Sequence, residues 1–257
     1  MAQYADEFVD RLHLVWGPGF LSPGGPEEVA EVTRGLDIKD ATVLDIGCGT
    51  GGPSIALARD MGARVLGIDI EPQLLDRARA LAQDAGVADR VEFRQVTRGP
   101  LPFEDDRFDV VFSKDALIHI PDKQALYAQI RRVLKPGGAL AASDWLSGEN
   151  ADNDEAFQHY LSLVPLEYNM ATARQTADVM RQAGFERVET RDRNAWYAEM
   201  SPREVASIEG PLRDKIIEVS DAKTYQNWLA IRRALAAAAQ SGGLRPTHLR
   251  GYNPKGS

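Results

Sequence analysis

Three acids and a histidine stand where an α/β chain could use them chemically: Asp45, Asp69, Asp115 and His119. Asp45 lies in VLDIGCGTGG (43–52), two residues ahead of Gly47, and glycines recur at every second position, Gly47, Gly49 and Gly51. Glycines let a backbone turn sharply and approach a ligand closely. Taken alone, such a turn after a strand would serve a nicotinamide cofactor, a flavin or a nucleotide. Two details separate these. The spacing is G-x-G-x-G-G, not the dinucleotide fingerprint G-x-G-x-x-G, and there is no Walker lysine. Asp45 would also repel a pyrophosphate and suit a cationic ligand. Asp69 ends the next strand, where a carboxylate accepts hydrogen bonds from both hydroxyls of a ribose. A ligand with a ribose, no phosphate and a positive amino-acid end is S-adenosylmethionine.

Asp115 and His119 are spaced i, i+4, so a short helix would put them on one face. A carboxylate there can fix the imidazole tautomer and support its protonation. An imidazole, with an ordinary pKa of about 6.5, suits the proton that an amine nucleophile must lose. The plainer alternative is that the two residues cap and pack a helix end. No cluster with metal-ligand spacing is present, and the lone Cys48 excludes both an internal disulfide and a cysteine zinc site. One cysteine suits a reducing cytosol, so a cytoplasmic location is expected.

Positioning these residues takes a sheet. The chain has 257 residues, 44% apolar and 26% charged, enough for one α/β domain with a sizeable core. A net charge of -8 argues against a nucleic-acid partner. No run approaches the ~20 apolar residues of a membrane span. MAQYADEFVDRL carries acids and no apolar h-region, so no signal peptide is expected.

The pattern predicts a helix over 28–36, a buried strand over 42–47 and a helix over 53–62 closed by Gly62. A strand over 63–69, an amphipathic helix over 72–86 opened by Pro72, and strands over 90–96 and 108–115 follow. Next come a helix over 123–138 stopped by Pro-Gly-Gly, a strand over 139–145, helical residues 152–183 and a strand over 185–192. Helical residues 201–240 and a final edge strand over 247–254 complete the chain. Strands alternating with helices of ~10–15 residues predict a parallel sheet with helices on both faces. Segments 1–25, 147–170 and 200–240 are extra to that sheet and are expected to cap one end of it.

VLDIGCGTGG, GIDI closing the second strand, FDVVFSKDALIHI around the fourth and LKPGG before the fifth resemble the class I S-adenosylmethionine-dependent methyltransferases over residues 40–145. The resemblance implies a single domain built on a Rossmann-like, doubly wound, seven-stranded sheet with its last strand antiparallel. It implies Asp45, Gly47 and Gly49 near the methionine moiety, Asp69 on the ribose, Ile70 against the adenine, and Lys114 at the cofactor. Members often carry an acid just after the third strand, near the adenine amine; Thr97 stands at that position here.

QYADEFV, VWGPGFLSPGG, SKDALIHI and SDW are similar, more narrowly, to the phosphoethanolamine N-methyltransferases, which methylate a small amine under a helical cap. That resemblance implies Tyr4 paired with His119, Asp115 one helical turn before it, and Ser22 closing over the cofactor. Tyr4 would then belong to a lid that folds over the site. The phosphate end departs from the family. One of its tyrosines aligns with Leu12, and the segment with an arginine and a tyrosine aligns with LVPLEYN, where only Tyr168 matches. The family's late lysine falls near Ile231, beside Arg232 and Arg233, and Trp145 replaces a tyrosine. A buried phosphate without a bidentate cation is poorly compensated, so the acceptor is expected to lack one.

Trp16, Phe20, Trp145, Tyr160, Tyr168, Trp196, Tyr197, Tyr225 and Trp228 would either cage a cationic amine or form the cap's own core. Arg174, Arg191 and Arg193 are expected in solvent and His159 and His248 on the surface; His13 belongs to the lid or has no role. The expected reaction is N-methylation of a small amine, with S-adenosylhomocysteine as product. The rival is O- or C-methylation of a natural-product or lipid-like molecule. A cofactor-binding sensor without catalysis is disfavoured by the Tyr4, His119 and Asp115 set.

Overall fold

The computed structural model describes residues 5–164 and 168–255. Seven strands form one sheet: β1 (Thr42–Ile46), β2 (Arg64–Asp69), β3 (Val91–Gln95), β4 (Phe108–Lys114), β5 (Leu134–Ser147), β6 (Glu186–Asp192) and β7 (Leu244–Tyr252). Their order is β3-β2-β1-β4-β5-β7-β6. The first five pair in parallel, and β7 runs antiparallel between β5 and β6. This is the Rossmann-like, doubly wound sheet with an antiparallel last strand. Strand order reverses between β1 and β4, which brings the turns after those two strands to one crevice.

Side chains alternate across the sheet, so neighbouring residues enter different cores. Val43, Ile55, Leu57, Leu75, Phe93 and Phe112 pack on one face, beneath α2 (Gly25–Thr33), α3 (Gly52–Met61) and α4 (Pro72–Asp84). Leu44, Ile68, Phe108, Leu117, Ile130 and Met180 pack on the other, beneath α5 (Lys123–Val133) and α7 (Ala173–Gln182). Local chemistry sets the helix ends. Gly62 closes α3 in the left-handed conformation, Asp122 caps α5 by accepting from Ala125 N–H, and Thr172 with Gln175 forms a capping box on α7.

Several boundaries differ from the sequence expectation. The helix expected over 123–138 ends at Val133, because Leu134 already pairs with Phe108 and the next pair is Val110 with Ala139. The Pro-Gly-Gly run bulges out of β5, with Pro136 lacking an N–H and Gly137 at φ 79°. The stretch 152–183 divides into α6 (Glu155–Leu163) and α7, and 201–240 becomes α8 (Asn194–Glu209), α9 (Arg213–Glu218) and α10 (Ala222–Ser241). The last strand is not an edge. β7 is mostly buried between two partners, whereas the exposed β6 forms the edge.

The cap is assembled from α1 (Asp6–Trp16) with the chain through Gly25, α6, and α8 to α10. Its interior holds Phe157, Tyr197 and Leu235 in one cluster and Leu12, Ile208 and Trp228 in another. Glu28 of α2, 4% exposed, fastens the sheet's antiparallel end to this body. It accepts from Arg193 Nη2 at 2.7 Å, and His248 Nε2–H donates to it at 2.6 Å. Arg193 and His248 are thus tied inward, not solvated as expected. His248 Nδ1 accepts from Arg191, so the imidazole serves both partners while neutral; burial and the adjacent arginines disfavour its protonation. Burial alone would raise the Glu28 carboxyl, but the bonds from His248 and Arg193 outweigh it and bring the pKa down to about 2.

The contribution of Glu28 is therefore complete above its ordinary pKa of 4.5 and is lost as pH falls through about 2. Glu28→Ala is expected to lower unfolding free energy by about 3 kcal/mol at neutral pH, read by denaturant titration. A loss below about 0.5 kcal/mol would reduce the cluster to an ordinary surface pair.

Candidate active site

The turn after β1 is shaped by the protein's own packing. Gly47, Gly49 and Gly51 have φ of 71°, 53° and 83°, in the left-handed region. A side chain at Gly47 would collide with Ala116, and the turn is tied to β2 by Gly47 N–H donating to Ile68 O at 2.9 Å. The next contact comes from the cap. Gly52 N–H donates to Gly19 O at 2.9 Å, an approach so close that a Cβ on Gly19 would lie 2.9 Å from Gly52 Cα. His13 secures the same contact: its Nε2 bonds Thr50 Oγ1 at 3.0 Å and accepts from Gly19 N–H at 3.3 Å. Burial, then Arg77, holds the His13 imidazole below its usual pKa, as suits an accepting nitrogen.

Asp45 is 1% exposed at the end of β1. Its Oδ2 accepts from Ser54 Oγ at 2.6 Å, while Oδ1 is buried with no hydrogen-bond partner among the described residues. Burial, aided by Asp69 and opposed by the Ser54 bond, pushes its pKa up to about 7. Asp69 accepts from Gly49 N–H at 2.9 Å and from Glu71 N–H at 3.0 Å, and burial raises its pKa as well. Ile70 follows, half-buried, with its carbonyl accepting from Gln95. Thr97 is exposed just past β3.

At the end of β4, Lys114 donates from Nζ to Ser22 Oγ at 2.7 Å, Pro23 O at 2.7 Å and Asp115 Oδ2 at 2.8 Å. An ammonium has three N–H donors, so this side chain joins the cap to the sheet and has none left for a cofactor. Asp115 sits at φ 57°, and its Oδ1 accepts from Ser143 Oγ at 2.8 Å. The stretch from Asp115 to His119 is therefore not the α-helical turn expected from i, i+4 spacing. Only Leu117–His119 forms a 3₁₀ turn, held by Ile118 N–H donating to the buried Asp144 at 3.1 Å. The His119 ring lies 5.6 Å from that of Tyr168, which stacks on Tyr160.

These residues border a cavity of ≈ 350 Å³. Leu12, Ser22, Asp115, His119, Trp145 and Tyr168 all line it, whereas Asp45 and Asp69 stand at the ends of β1 and β2 beside the glycine turn. Tyr4 lies outside the described residues, as do residues 165–167 of LVPLEYN. The aromatic residues divide: Trp16, Tyr160 and Trp228 join Trp145 and Tyr168 on the wall, while Tyr197 and Tyr225 are buried in the cap. Asp144 and Arg11 escaped the sequence reading. SDW marked the former's position, but Arg11 resembled any polar residue on a surface helix.

Residues 37–197 match the family model described as a methyltransferase domain. The chain belongs to this methyltransferase domain family. Among its relatives, phosphoethanolamine N-methyltransferase 3 of Arabidopsis thaliana is 31% identical over 219 residues, 85% of this chain and 44% of that enzyme. Phosphoethanolamine N-methyltransferase 2 of Caenorhabditis elegans is 32% identical over 209 residues, 80% of this chain and 47% of that enzyme. The chain thus spans less than half the length of either. A solved Haemonchus contortus phosphoethanolamine N-methyltransferase 2, in complex with phosphomonomethylethanolamine and S-adenosylhomocysteine, superposes with a TM-score of 0.90 at 25% identity. That match covers 99% of this chain and 59% of the other.

The methyltransferase domain offers donors and acceptors suited to a ligand with an ammonium and a ribose. Asp45 Oδ1, without a partner among the described residues, could accept from the first, and Asp69 from the second. An ammonium requires ionised Asp45, so S-adenosylhomocysteine affinity is expected to fall as pH drops below about 7. Calorimetry should show a loss approaching ~10-fold per pH unit, and Asp45→Asn should bind weakly with little pH dependence. Constant affinity from pH 5 to 8 would mean that Asp45 does not meet the ammonium.

Proposed function

We propose that this chain is an S-adenosylmethionine-dependent methyltransferase acting on the nitrogen of a small amine held beneath the cap. The carrying observation is that His119, Asp115 and Ser22 line one cavity, while Asp45 at the end of β1 and Asp69 at the end of β2 flank the glycine turn, Asp69 accepting from its Gly49 N–H. The amine-methylating names of the relatives support the same reading. Bound S-adenosylmethionine supplies a methyl group on a positively charged sulfur, an electrophile that needs little further activation.

Asp45 takes the ammonium end of that cofactor and Asp69 its ribose. His119 accepts, at a ring nitrogen, the proton that an ammonium must lose before its nitrogen can attack. Asp115 acts at one remove: its bonds to Lys114 and Ser143 fix the chain from which the 3₁₀ turn departs. Trp145, Tyr160 and Tyr168 offer ring faces to a cationic amine, and the cap excludes water.

A radiolabelled-cofactor assay across amines, phosphoamines, phenols and sterols tests the reading. Amines should be methylated, and phosphoethanolamine should have a lower kcat/KM than unphosphorylated amines. His119→Ala should reduce kcat by ~100-fold or more, with S-adenosylhomocysteine affinity nearly unchanged. Turnover close to that of the unmodified enzyme would make His119 a packing residue, and a clear preference for phenols or sterols would overturn amine methylation.

A further inference from the structure

Arg11 of α1 lines the cavity and is 7% exposed. Among the described residues its guanidinium has neither a hydrogen bond nor an ion pair, and its Nε is wholly buried without a partner. Two rings support it, Phe8 at 5.5 Å and Trp228 at 5.9 Å from their centroids. Glu7 and Asp221 attract it only from a distance, and Asp221 already caps α10 through Lys223 and Thr224 N–H. A guanidinium keeps its charge, and a buried charge without a partner is costly.

The cavity's other arginine shows the contrast. Arg232 donates to Glu204 Oε2 at 2.6 Å and to the Tyr197 hydroxyl at 3.0 Å, and it lies over Trp16 at 4.9 Å. Glu204 is also bonded by Trp16 Nε1 at 2.7 Å. That cation is neutralised within the protein; Arg11 is not.

We infer that Arg11 receives a carboxylate of the methyl acceptor, which makes the acceptor a small amino acid with its nitrogen toward His119. The inference rests on the amine-methylating reading above and narrows it. A planar guanidinium grips a carboxylate through two parallel N–H···O bonds, and one monoanion balances one cation. A phosphate dianion would leave charge uncompensated, since Arg232 is engaged by Glu204. Asn227 of α10 lines the same cavity and adds a neutral amide donor for the carboxylate, whereas the Thr224 hydroxyl there already donates to Asp221.

The test uses the full chain saturated with S-adenosylhomocysteine for binding, and with S-adenosylmethionine for turnover. The probes are amino acids with one to four carbons between the nitrogen and the carboxylate, glycine and sarcosine included, their carboxamides, and phosphoethanolamine. At least one amino acid should bind about 30-fold more tightly than its carboxamide, and Arg11→Met should abolish that ratio while Arg11→Lys keeps part of it. A melting shift with S-adenosylhomocysteine confirms that each variant is folded; if Arg11→Met is not, the carboxamide ratio in the unmodified chain and in Arg11→Lys decides. No preference for carboxylates, a preference that survives Arg11→Met, or tighter Arg11-dependent binding of phosphoethanolamine overturns the inference. Arg11-dependent binding of an amino acid without methyl transfer would uphold the receptor and sink amine methylation. Methylation of amines regardless of Arg11 would do the reverse.

Discussion

The Lys114 ammonium holds the cap on the sheet. Its side chain is 2% exposed and reaches Ser22, Pro23 and Asp115 at once. A buried ammonium needs all its donors occupied, so the N-terminal segment has little freedom in where it crosses the end of β4. Once Ser22 and Pro23 are placed, Gly19 falls on Gly52 and Leu21 on Gly49, and Leu12 and Arg11 reach the cavity. The bond from Asp115 to Ser143 carries the same constraint into β5. Cavity, glycine turn and cap are therefore one mechanical unit.

Charges inside this unit fall into two kinds. Lys114 with Asp115, Glu28 with Arg193 and His248, and Arg232 with Glu204 are compensated within the chain, so they serve the fold. Asp45 and Arg11 are buried, each has a polar atom without a partner, and neither has an ion pair among the described residues. Folding alone gives no reason to keep such groups, because marginal stability penalises every uncompensated buried charge. The two lie in different parts of the site, an acid at the glycine turn and a cation on the cap. That polarity matches a cofactor with a positive end and an acceptor with a negative one.

Most strands and the helices between them were legible because their determinants are local. Alternation of apolar residues, Pro72 at a helix start and Gly62 at a helix end act within a few residues. The errors lie where distant partners decide. The Pro-Gly-Gly run of β5 reads as a helix stop, yet Asn253 receives Gly137 N–H and the run becomes a bulge. β7 reads as an edge from its place late in the chain, but β6 closes the sheet around it.

The acids at the glycine turn were legible too, since they follow from strand ends that local pattern locates. By itself the sequence determined the doubly wound sheet, the placing of Asp45 and Asp69 at its crevice, and the proximity of Asp115 and His119 to the end of β4. The tertiary structure alone decided what those side chains do. It occupied all three donors of the Lys114 ammonium within the chain, directed Asp115 to Ser143 and Lys114, drew His248 inward to Glu28, and left Arg11 in the cavity wall without a hydrogen bond or ion pair among the described residues. The physical reason is that hydrogen-bond partners and burial depend on segments far apart in the chain, here the N-terminal helix against the sheet and α10, and no local pattern records which groups will be left without one.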